Sequence, residues 1–314
     1  MKVLLCGDID SAELHAWRRA LERRLPEASW LDRDQALAQA GEVQAALVAN
    51  PPAGSLQGLP ALRLIQSLWA GIDRLLDDPS VPPEVPIARM VDPVMSAAMA
   101  ETALWATLGL HRGFFGNAVA QRSAAWQQQP QRRAADIGVL VLGLGTMGLA
   151  VAQRLAPLGY AVRAWALHAR AQAPAGVELH AGPAALPALL AQARIVLNLL
   201  PLTPATRGLI DAQFLAGLPA GAGLVNLGRG AHVVDADLLA ALDRGHLRHA
   251  VLDVFAAEPL AKDHPYWAHP RVTVLPHVAA QTDIDSAADV AAANLRALRD
   301  GRPIAHLVQR GRGY

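Results

Sequence analysis

The chain has 314 residues, 53% hydrophobic and 18% charged, with 28 lysines and arginines against 27 acids for a net charge of +1. That much apolar surface offsets the entropy of ordering the chain, which excludes a disordered protein, and the length suits two domains or one large α/β unit. The even charge balance, with no basic stripe, argues against partners built on phosphate backbones or anionic lipid, so neither nucleic acid nor membrane is expected.

The first hundred residues alternate short apolar runs with helical patterns. Val3 to Cys6, Ala45 to Val48, Leu62 to Ser67 and Ile87 to Met90 read as strands and Ser11 to Arg24 as a helix, a rhythm that implies a small parallel sheet. Cys6 has no second cysteine to pair with and lies in an apolar run, so it is expected to be buried and inert. No charged segment followed by an apolar one opens the chain, and Gly, Pro or polar residues interrupt every long apolar stretch; a cytoplasmic protein is expected. Beyond a proline-rich loop between Pro79 and Pro86, Ser96 to Arg112 is alanine-rich and free of proline, the pattern of one long helix. The glutamine-rich stretch from Gln121 to Arg133 then precedes a second βα series. Its strands are expected at Ile137 to Leu142, Ala161 to Trp165, Ile195 to Leu199, Gly223 to Asn226, His249 to Val254 and Val272 to Leu275, with helical patterns such as Ala236 to Leu242 between them. Six parallel strands with crossover helices predict a doubly wound sheet. A last helical pattern, Ser286 to Asp300, is expected to return to the first domain.

Gly143-Leu-Gly145-Thr146-Met147-Gly148 lies between the strand pattern at Ile137 and a helical pattern. The first glycine permits the tight turn, the second lets a pyrophosphate approach the backbone, and the third lets the helix pack on the strand, so this segment is expected to bind a dinucleotide. The acidic residue that would grip an unphosphorylated ribose is missing: the next strand runs out at Ala166, followed by Leu167, His168 and Arg170. Nothing there repels a 2′-phosphate, and His168 or Arg170 are placed to pair with one, which favours NADPH over NADH. Farther on, Arg229, Glu258 and His277 each follow the carboxyl end of a predicted strand in the same series, where ligands of open α/β sheets bind. Together they offer an anion clamp, an acid and its orienter.

These segments resemble the D-2-hydroxyacid dehydrogenase family. The resemblance is carried by Leu68-Trp69-Ala70-Gly71-Ile-Asp73, the Gly143 turn, Asn198-Leu-Leu-Pro201 through Thr206 to Ile210, the Arg229 loop through Leu242, and the Glu258 and His277 segments. It covers nearly the whole chain. Trp126, His264-Pro-Tyr-Trp267-Ala-His-Pro270 and the closing Arg310-Gly-Arg-Gly-Tyr314 resemble the glyoxylate/hydroxypyruvate reductase branch.

The resemblance implies a Rossmann-type doubly wound cofactor domain over residues 99–283 and a smaller flavodoxin-like α/β substrate domain over 1–98 and 284–314. It implies NAD(P)H-dependent reduction of a small 2-oxo acid, with Arg229 on the carboxylate and carbonyl, His277 as proton donor and Glu258 orienting it. Backbone amides of Ala70 and Gly71 would hold the carboxylate in a cleft between the domains, Pro201 and Thr206 would line the nicotinamide ribose, and Asp253 would accept from the carboxamide or cap a neighbouring turn. No metal is expected. Trp69 departs from the small residue usual before Ala70, so the size of the substrate is open. A homodimer through the helix at Ser96 to Arg112 is implied. Three other readings stay open: a reductase of larger 2-oxo acids, a dinucleotide-sensing protein without catalysis, and a methyltransferase using the glycine turn for another ligand.

Overall fold

The computed structural model describes residues 1–168 and 172–313. The chain divides into two compact units, Met1–Met95 with Thr282–Tyr314, and Ser96–Gln281. Arg170 and Tyr314, both singled out in the sequence, lie outside the described residues.

In the first unit, β1 (Lys2–Gly7), β2 (Ser29–Leu31), β3 (Val43–Ala49), β4 (Leu64–Ser67) and β5 (Ile87–Ala88) form a parallel sheet in the order β2-β1-β3-β4-β5. That is the flavodoxin-like order. The helices α1 (Ser11–Arg24), α2 (Arg33–Ala38) and α3 (Asp73–Asp77) connect its strands, and Asp10 and Asp32 start the first two by accepting the amides of Glu13 and Gln35. β2 is absent from the sequence reading. Three residues carry too little period to stand out beside the apolar runs. Cys6 is half-buried, and burial pushes its thiol up to about 11.

The long helix α4 (Pro93–Arg112) begins three residues earlier than the alanine pattern implies, because Pro93 fits the first helical turn and the Asp92 carboxylate accepts the amides of Val94 and Met95. It is followed by α5 (Phe114–Arg122), turned off at Gly113, whose φ of +74° is left-handed. The second sheet has seven strands among the described residues: β6 (Gly138–Leu142), β7 (Ala161–Ala166), β8 (Val177–Ala181), β9 (Ile195–Asn198), β10 (Ala222–Asn226), β11 (Leu247–Leu252) and β12 (Val272–Val274). Their order is β12-β11-β10-β9-β6-β7-β8, all parallel. The expected six thus become seven. β8 escapes sequence patterning because it is an edge strand with one buried residue, Val177.

Alternation along these strands explains the double winding. Leu140, Leu142, Val196, Leu224 and Leu252 pack on one face with α7 (Leu186–Leu190), α8 (Ala212–Ala216) and α9 (Asp235–Asp243). Val139, Val141, Leu197, Val225 and Val251 pack on the other with α4 and α6 (Thr146–Leu155). Both faces are covered, as an all-parallel sheet requires. The last helix, α10 (Ile284–Arg299), belongs to the first unit, where Arg24 of α1 binds Asp285 and Asp289. No described helix is long and apolar enough to cross a membrane.

Candidate active site

The order of the seven-stranded sheet reverses between β9 and β6, and ligands of such sheets bind in the crevice outside the strand ends at that point. The sequence-selected residues of this unit collect along this edge. The Gly143 turn follows β6, Leu167 and His168 follow β7, Pro201 follows β9, Arg229 follows β10, Asp253 and Glu258 follow β11, and His277 follows β12.

The glycine turn meets each steric requirement of a dinucleotide. Gly143 has φ +92°, and a Cβ there would lie 2.8 Å from the Leu199 carbonyl oxygen. A Cβ on Gly148 would collide with the Gly143 carbonyl, so only glycine lets α6 seat on β6. At Gly145 nothing lies within 4 Å of the added carbon. That exposed position precedes the first turn of α6, no side chain caps the helix, and Thr146 is exposed beside half-buried Met147. Open space and unfilled helix-terminal amides are what a pyrophosphate needs, so the chain's residues fit the cofactor that the sequence implies. β7 ends at Ala166, with half-buried Leu167 and exposed His168 beyond it and no carboxylate among them. Thr206 is buried at 2% exposure, its Oγ1 donating to the Pro201 carbonyl at 2.8 Å and accepting the Thr203 amide at 2.9 Å. It shapes the Pro201 loop from within.

On the opposite side of the reversal, the structure brings Glu258 and His277 together, Oε2 to Nδ1 at 2.7 Å. The other carboxylate oxygen, Oε1, accepts the Phe255 amide at 2.8 Å, so the side chain is held at both ends. With Nδ1 engaged, Nε2 is the nitrogen presented outward from an imidazole that is 56% exposed. His277 has φ +54°, a left-handed conformation uncommon outside glycine, and its amide donates to the carbonyls of Asp253 and Leu275. The carboxylate of Asp253 fixes the next turn, accepting Val278 N–H at 2.7 Å and Ala279 N–H at 3.1 Å. Burial pushes its carboxyl above the usual range, against the lowering effect of these amides. In this structure Asp253 is the capping carboxylate of the His277 loop.

Arg229 is half-buried in the loop after β10, and one Nη donates to the Gly228 carbonyl at 2.7 Å. Its neighbour Gly230 lies directly on the backbone of Phe255 and Ala256, where a Cβ would collide. The Arg229 loop therefore rests on the same Phe255 that Glu258 holds, and the three selected residues share one packed corner. A buried polar set beneath this corner, Asn198, Asn226 and His232, was not selected from sequence as functional. Its only signal is polarity inside apolar strand ends.

In the first unit, Trp69, Ala70 and Gly71 follow β4 and are half-buried. Ser67 Oγ accepts the Trp69 amide and donates to the Trp69 carbonyl, whereas the Ala70 and Gly71 amides have no hydrogen-bond partner among the described residues. A cavity of about 330 Å³ lies elsewhere in the second unit, at the amino ends of β10 to β12, beside Phe115, Arg248 and His249. It touches none of Arg229, Glu258 and His277, so its volume is no guide to the chemistry.

A family model for the NAD-binding domain of D-isomer specific 2-hydroxyacid dehydrogenases matches residues 104–279. The chain is similar over its whole length to a D-isomer specific 2-hydroxyacid dehydrogenase from Xanthobacter autotrophicus Py2 solved with NADPH and MES, at 38% identity and a TM-score of 0.93, covering 99% of that chain. A family protein from Klebsiella pneumoniae 342 is 36% identical with a TM-score of 0.89, over 99% of this chain and 98% of that one. An NADPH-dependent glyoxylate/hydroxypyruvate reductase from Sinorhizobium meliloti, solved with NADP and sulfate, is 30% identical with a TM-score of 0.90, over 100% and 99% of the two chains.

Proposed function

Because the chain belongs to the D-isomer specific 2-hydroxyacid dehydrogenase family, and is an NAD(P)-dependent oxidoreductase, we propose that it reduces glyoxylate and hydroxypyruvate to their 2-hydroxy acids with NADPH. The observation that carries this reading is the Glu258–His277 pair at 2.7 Å in the same packed corner as the Arg229 loop.

When bound, the dihydronicotinamide supplies the hydride; the chain's own residues do the rest. The forked, permanently charged guanidinium of Arg229 binds the substrate carboxylate and polarises the ketone. The protonated His277 delivers its Nε2 proton to the carbonyl oxygen and keeps its Nδ1 proton, which it donates to the Glu258 carboxylate. The carboxylate stabilises the imidazolium before transfer and fixes the tautomer after it. Asp253 holds the backbone of the His277 turn and is assigned to the carboxamide through its remaining lone pairs. Pro201 is assigned to the ribose side, with buried Thr206 holding its loop from within rather than lining the ribose as the sequence implies, and the Ala70 and Gly71 amides to the substrate carboxylate. Preference for NADPH is supported by Ala166, which leaves no carboxylate to repel a 2′-phosphate, with His168 and Arg170 as its partners.

We also infer a homodimer. The stretch through α4 and α5 exposes Trp105, Leu108, Phe114 and Val119, and Trp126 beyond it is 92% exposed. A cytoplasmic location suits an enzyme that draws on the NADPH pool and keeps one free thiol.

The test is initial-rate oxidation of NADPH and of NADH with glyoxylate, hydroxypyruvate, pyruvate and a branched 2-oxo acid, beside His277→Ala. Turnover of the two small acids that prefers NADPH and is lost in the variant is the expected result. Preference for the branched acid would replace the substrate assignment, and cofactor binding without turnover of any of the four would overturn the catalytic reading in favour of a dinucleotide sensor.

A further inference from the structure

We propose that His232 is a positioning residue, a buried imidazole that ties the Arg229 loop to the Pro201 loop and so sets where the substrate carboxylate is held. The inference rests on the assignment of Arg229 to that carboxylate.

His232 has no exposed surface, and its ring reaches both loops. Its Nδ1 accepts the Asn198 side-chain amide at 2.8 Å and the Arg229 backbone N–H at 3.2 Å. Two donors on Nδ1 leave the ring proton on Nε2, which lies 3.2 Å from the Pro201 carbonyl and donates to it. That carbonyl also receives the Thr206 hydroxyl at 2.8 Å, so both of its lone pairs are filled.

The two asparagines extend the grip. Asn198 gives its second amide hydrogen to Asn226 Oδ1 at 2.8 Å, and its own oxygen accepts the Leu200 amide at 3.3 Å. Asn226 accepts the Gly228 amide at 3.2 Å and donates to the Arg229 carbonyl at 3.0 Å. The amides of Gly228 and Arg229 and the Arg229 carbonyl are therefore all held by these three side chains.

This connectivity separates positioning from ordinary core packing. The sheet needs none of it, because β9 and β10 are already joined by their own ladder, and apolar side chains would fill the space without the cost of burying polar groups. Apart from the Leu200 amide, whose residue precedes Pro201, the backbone partners belong to the Arg229 and Pro201 loops. A shift of either loop would leave buried donors unmatched, so the network admits one placement of Arg229.

The test uses His232→Gln, which loses the Nδ1 acceptor but can reach Pro201, and His232→Asn, whose Oδ1 replaces that acceptor, in the full chain and in an Arg229→Ala background. His232→Gln is expected to raise KM for glyoxylate about tenfold with kcat within about threefold, an effect of the size expected from one unmatched buried hydrogen bond. His232→Asn is expected to restore most of it. In Arg229→Ala the Gln substitution is expected to change nothing, because a positioning effect needs the group it positions. Equal fold-changes in both backgrounds, or an unchanged KM, would overturn the proposal in favour of a structural role. Hydrogen exchange at the Arg229 amide gives a readout that needs no substrate: protection in the wild type and His232→Asn, lost in His232→Gln. If the wild type reduces none of the 2-oxo acids, the substrate assignment fails, while equal exchange in all three proteins would overturn the positioning itself.

Discussion

Replacing Gly230 with alanine tests whether the spacing of two loops sets the chemistry. Gly230 does not have a positive φ, so alanine brings no backbone penalty and the added methyl is the whole perturbation. Its Cβ would fall on the Phe255 carbonyl and Ala256 nitrogen, at about half the ordinary contact distance of roughly 3.5–4.0 Å. One backbone must therefore retreat by more than about 1 Å. Phe255 is where Glu258 anchors its second oxygen, so the retreat separates Arg229 from the Glu258–His277 pair. Overpacking of this kind costs about 1–3 kcal/mol of stability. Misplacing a catalytic group by about 1 Å costs about 100-fold in rate, or about 2.7 kcal/mol in the barrier. The assay pairs initial rates of NADPH oxidation by glyoxylate with thermal melting and NADPH titration. A folded variant with NADPH affinity retained and kcat/KM down about 100-fold is expected, since the Gly143 turn lies across the sheet reversal. A folded variant within twofold of wild type would refute the reasoning, because the loops would then tolerate separation.

Glu258→Gln keeps an acceptor for Phe255 but removes the charge beside His277, and kcat is expected to fall about 100- to 1,000-fold with NADPH affinity unchanged, read by single-turnover rates and fluorescence titration. Ala166→Asp places a carboxylate at the end of β7 and is expected to shift the ratio of kcat/KM for NADPH over NADH by more than about tenfold toward NADH. His249 gives a pH prediction. Burial, then His269 and Arg248, lower it from 6.5 to about 4, so the unfolded chain binds a proton that the folded chain refuses. Stability is complete above about pH 6.5 and is lost as pH falls toward 4, by up to about 3 kcal/mol. His249→Gln is expected to flatten that part of the difference between urea midpoints at pH 7.5 and 4.5.

Elements with strong apolar period were legible in the sequence, and so was the gathering of Arg229, Glu258 and His277 at one corner. Arg229, Glu258 and His277 each stand at the end of an apolar run, and an open parallel sheet puts such ends on one edge whatever the loop details. β2 and β8 were not legible, because three residues and a one-sided edge strand bury too little to leave a pattern. The start of α4 at Pro93 carried its signal in Asp92 and Pro93 but was masked by the alanine run behind it. α5 was hidden by the glycines at Gly113 and Gly116, which argue locally for a loop. His232 was invisible for a different reason. A lone histidine between apolar residues reads as core filling, and only its ring geometry reveals two donors on one nitrogen and a carbonyl on the other.

The left-handed backbone at His277 has a consequence for redesign of this chain. A side-chain-bearing residue in that conformation gives up about 1–2 kcal/mol that glycine would keep. Selection for thermal stability alone would therefore drive this position to glycine, raising the melting temperature while deleting the imidazole proposed as the proton donor. Asn50, Ala124 and His306 share that backbone conformation, and His277 stands apart from them by its carboxylate partner Glu258.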